Sequence, residues 1–109
     1  MNRIRQAIEV LAHAGWTKGT FTDEGGRHCL QGALYEAHQV QAPQKDDVGT
    51  PLCRPLADDV RLVNSVIEEQ YPERFGAVGV SRFNDHPETT LDDVIRVLEK
   101  AAVRQEEQV

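Results

Sequence analysis

Two cysteines and four histidines bound the nucleophilic and metal chemistry open to this chain. Cys29 with His86 as base, and Asp85 or Asn84 to orient the imidazole, has the residue types of a thiol hydrolase. A cysteine near a helix N-terminus also gains from the helix dipole as a thiolate. Against that, Cys29, Ala33 and Ala37 recur every four residues with Gly32 beside them. On such a small-residue stripe a cysteine packs as a small hydrophobe. There is no nucleophile elbow and no phosphate-cradling glycine loop, and Gly25-Gly26 is an isolated pair. The structural role for Cys29 is therefore preferred, and no catalytic residue is assigned.

The metal-ligating types are His13, His28, Cys29, His38, Cys53, Asp85 and His86. Zinc sites announce themselves by paired ligands such as Cys-x-x-Cys or His-x-x-x-His. Only adjacent pairs occur here, His28-Cys29 and Asp85-His86. Neighbouring residues on a helix point about 100° apart, so His28 and Cys29 are expected not to share an ion. No metal or other cofactor is expected.

Charge narrows the partners. Eighteen acidic residues face twelve basic ones, for a net charge of −6. Phosphate neutralisation needs clustered Lys and Arg, and the densest basic run, Asn2-Arg3-Ile4-Arg5, has two. Nucleic acid is not an expected partner. An acidic mimic of nucleic acid is the weaker alternative, because Arg96, Lys100 and Arg104 interrupt the acids of the last helix. No run approaches the ~20 apolar residues of a membrane span, and no apolar leader is evident, so a cytoplasmic location is expected. In that compartment both cysteines would be free thiols.

These residues need elements to position them. With 39% apolar and only 6% aromatic residues, the core must come from Val, Leu, Ile and Ala. A chain of 109 residues supports one domain. Ile4, Ala7, Ile8 and Leu11 predict a helix over Arg3–Ala14, stopped by Gly15, with Trp16 folding over its end. Thr17–Gly26 reads as loop. A second helix is expected over Arg27–Gln39. Gln41–Pro55, with three prolines, reads as a long and mobile central loop. A third helix starts near Pro55, buries Leu56, Val60, Val63 and Ile67, places Asp58 and Asp59 at its positive end, and stops at Pro72. Phe75–Phe83 reads as a short helix or irregular turn. Thr90 predicts the N-cap of a final helix, with Asp93 completing a capping box. Leu91, Val94, Ile95, Leu98 and Ala102 form its buried face. The expectation is an all-α fold of about four helices with a long central loop, one domain over residues 1–105, and a frayed tail at 106–109.

The loop Phe83-Asn84-Asp85-His86-Pro87-Glu88-Thr89-Thr90 turns the chain into that last helix. Asn84 and Asp85 suit a turn by bonding neighbouring backbone groups. Phe83 would anchor the loop in the core.

Together with Trp16-Thr17-Lys18-Gly19 and Cys29-Leu30-Gln31-Gly32-Ala33-Leu34, this loop resembles the motif blocks of the actinobacterial and phage family called domain of unknown function 6197. That family has Trp where Phe83 stands here. The resemblance spans about residues 4 to 103, apart from an unmatched middle. It implies a helical domain and a bacterial or phage source, and it brings no catalytic residues. The expected role is a small cytoplasmic, non-enzymatic binding or regulatory protein acting through protein contacts. A host bacterial protein is the candidate partner, and Asn84, Asp85 and His86 are the candidate interaction surface.

Overall fold

The computed structural model describes residues 2–19, 23–39, 54–74 and 80–107. Among the described residues, five helices pack around one core: α1 (Arg3–Ala14), α2 (Leu30–Ala37), α3 (Arg54–Gln70), α4 (Val80–Asp85) and α5 (Leu91–Glu107). A 3-10 turn, Pro72–Arg74, follows α3. Among the described residues there is no strand, only one isolated parallel bridge between Trp16 and His28. The all-α expectation holds. No described helix is long and apolar enough to cross a membrane.

Helix α1 has the predicted bounds. The Asn2 carboxamide oxygen accepts from the Arg5 N–H at 2.8 Å, satisfying one of the amides that a helix start leaves unpaired. Ile4, Ala7 and Leu11 are buried. The helix stops at Gly15, whose φ of 97° disfavours any side chain. A Cβ there would also meet the Arg27 Cγ at 2.7 Å.

Helix α2 is shorter than predicted at both ends. Its expected first residues are held elsewhere. The His28 N–H donates to the Gly15 carbonyl, and the His28 carbonyl accepts from the Thr17 N–H, both at 3.0 Å. A residue in that bridge cannot be helical, so Cys29 becomes an extended N-cap with ψ of 176°. Its Sγ accepts from the Gly32 N–H at 3.2 Å. The expected divergence of His28 and Cys29 on a helix is thereby corrected, since both precede it. Gly32, Ala33 and Ala37 are buried as the small stripe predicts, and α1 packs against α2.

Helices α3 and α5 are the long pair. Leu56, Val63, Val66 and Ile67 are buried on α3, and Val94, Val97, Leu98, Ala101 and Ala102 on α5. Phe83 of α4 is fully buried, its ring 5.1 Å from that of Tyr71. The loop expected over Gln41–Pro55 lies outside the described residues up to 53; Pro55 is already in α3. Residues 75–79 are likewise outside them, but Val80–Asp85 is helical, so Asn84 and Asp85 end a helix instead of forming a turn.

The tail also departs from expectation. Helix α5 runs to Glu107, and Glu106 takes the Arg5 guanidinium at 2.7 Å through both oxygens. Residues 108 and 109 lie outside the described range.

Candidate functional site: a junction at Asn84

The three motif blocks converge on one side chain. Asn84 sits at the end of α4 and is 1% exposed. Its Oδ1 accepts from the Trp16 Nε1–H at 2.6 Å and from the Leu30 N–H at 3.0 Å. Its Nδ2 donates to the Thr17 carbonyl and to the Asp85 Oδ1, each at 3.1 Å. A carboxamide has two lone pairs on oxygen and two hydrogens on nitrogen, so all four positions are filled. Asn84 thus ties the segment after α1, the first turn of α2 and the end of α4 to each other.

Its neighbours extend the tie. Asp85 Oδ1 also accepts from the Gly19 N–H at 2.8 Å, and Lys18 Nζ donates to the His86 carbonyl at 2.7 Å. The Lys18 ammonium lies 5.3 Å from the centre of the Trp16 ring. Trp16 was expected to fold over the end of α1. It is half-buried, packed against the core, and its indole N–H reaches across to α4.

The geometry works against thiol chemistry. Cys29 is buried, and burial pushes its thiol up from the ordinary value. The Gly32 and Gln31 amides oppose that rise, and the nearby Asp85 charge adds to it. A thiol held in its protonated form is a poor nucleophile. His86 is also committed: its Nδ1 accepts from the Glu88 N–H at 3.1 Å. A neutral imidazole has one lone pair, and here it already holds a proton donor.

Of the three residues expected to form an interaction surface, Asn84 is corrected to a buried hub. Asp85 is exposed and His86 half-buried. Among the described residues, no group of three or more His, Cys, Asp or Glu side chains is placed to hold a metal ion. Cys53 falls outside those residues.

The entry to α5 is built as predicted. The Asp93 N–H donates to Thr90 Oγ1 at 3.3 Å, and the Thr90 N–H donates to Asp93 Oδ2 at 3.1 Å. Arg74 locks the cap from the 3-10 turn, giving 3.0 Å to Asp93 and 3.4 Å to the Thr89 hydroxyl while stacking on Tyr71. Partial burial tends to raise the Asp93 carboxyl, but the Thr90 amide and the Arg74 guanidinium outweigh it and hold it below the ordinary range.

One polar cluster escaped the sequence reading. His38 Nε2 and Asp59 Oδ2 are 2.6 Å apart, with side chains 7% and 4% exposed. Gln105 Nε2 donates to the other Asp59 oxygen at 2.5 Å. Asp59, expected near the positive end of α3, lies beyond the first turn, which holds no acidic residue. It joins α2, α3 and α5. The signal was present: Asp59 lies three residues after Leu56 and four before Val63, on the buried face. The pair floors an open cleft of about 500 Å³ lined also by Asn2, Arg3, Pro55 and Asp58.

Residues 2–104 match the family of unknown function DUF6197, and the chain belongs to that family. No curated protein and no solved structure matches it.

Proposed function

We propose that this member of the family is a small non-enzymatic binding or regulatory domain that acts through protein–protein contacts. The observation that carries this reading is the saturation of Asn84. Asn84 spends all its polar groups on the other motif segments and on Asp85, which supports a structural role for this junction. The edge of that junction around Asp85 and His86 is where a partner would dock, a bacterial host protein if the chain is phage-encoded. The cytoplasm of an actinobacterium is the setting that fits this reading.

Two measurements test it. In a Cys53→Ser background, Cys29 should react slowly with a thiol probe at neutral pH in the native protein. Fast reaction that His86→Ala slows would replace this reading with the thiol hydrolase. In affinity capture from a bacterial lysate, a specifically retained protein should be lost when Asp85 and His86 are both changed to Ala. Retention indifferent to that double change would move the docking surface elsewhere.

A further inference from the structure

We draw no further inference here: the strongest candidate, the cleft above the buried His38–Asp59 pair between the start of α1 and α3, carries nothing because His38 and Gln105 already occupy both Asp59 oxygens and nothing in the structure shows what would fill it.

Discussion

Replacing Asn84 by Ala should be among the most damaging single changes in this protein. The substitution removes two acceptor and two donor contacts at once. The Leu30 N–H is buried and, as the first residue of α2, has no partner within its helix. Left unpaired it costs about 1–3 kcal/mol. The Trp16 indole N–H and the Thr17 carbonyl belong to half-buried residues and can recover water in part, at about 0.5–1.5 kcal/mol each. The Asp85 carboxylate is exposed and loses little. The sum is about 4 kcal/mol, a large share of the ~5–15 kcal/mol that holds a typical domain folded. At roughly 4 °C per kcal/mol, the melting temperature should fall by about 15 °C. Urea denaturation gives the free energy, and fluorescence gives a local readout, because Trp16 is the single tryptophan. Its emission should shift to the red in the folded variant as water replaces the Asn84 oxygen. Asn84→Leu separates hydrogen bonding from packing. It restores volume but leaves the same groups unpaired, so it should be no more stable than the alanine variant. A loss below about 1 kcal/mol, or a leucine variant as stable as the parent, would refute the reading of Asn84 as the hub.

Thr90→Ala should cost about 1 kcal/mol, the usual loss of a helix N-cap, read as a lowered urea midpoint with an unchanged slope. His38→Ala leaves the buried Asp59 carboxylate with only Gln105, and should cost about 2–4 kcal/mol. Arg61→Ala, which breaks an exposed pair with Asp58, should by contrast change stability by less than about 0.5 kcal/mol in the same assay. Acid should weaken the cap of α5. Because the folded state holds the Asp93 carboxyl below its ordinary value of 3.8, the contribution is complete above that pH and disappears as pH falls through the folded value. A pH series of melting curves should therefore be flatter below pH ~4 for Asp93→Asn than for the parent; equal slopes would remove Asp93 from the acid response.

What could be read along the chain was whatever depends on neighbours in sequence. The bounds of α1, the stop of α3 at Pro72 and the Thr90–Asp93 capping box follow from helical spacing, proline geometry and short-range hydrogen bonds. Family membership was legible too, because its motifs are short contiguous blocks. What the sequence misplaced depends on distant pairings. The Trp16–His28 bridge takes His28 out of the helical backbone and moves the start of α2 to Leu30, a consequence no local propensity carries. Asp59 is charged and close to a helix start, so local reasoning assigns it to the helix's positive end. It is buried because His38 and Gln105, 21 and 46 residues away, are there to meet it. The loop from Phe83 to Thr90 shows both sides. Its cap on α5 was written in the sequence, whereas the use of Asn84 was decided by three segments arriving around one carboxamide, each supplying a partner that water would otherwise have provided.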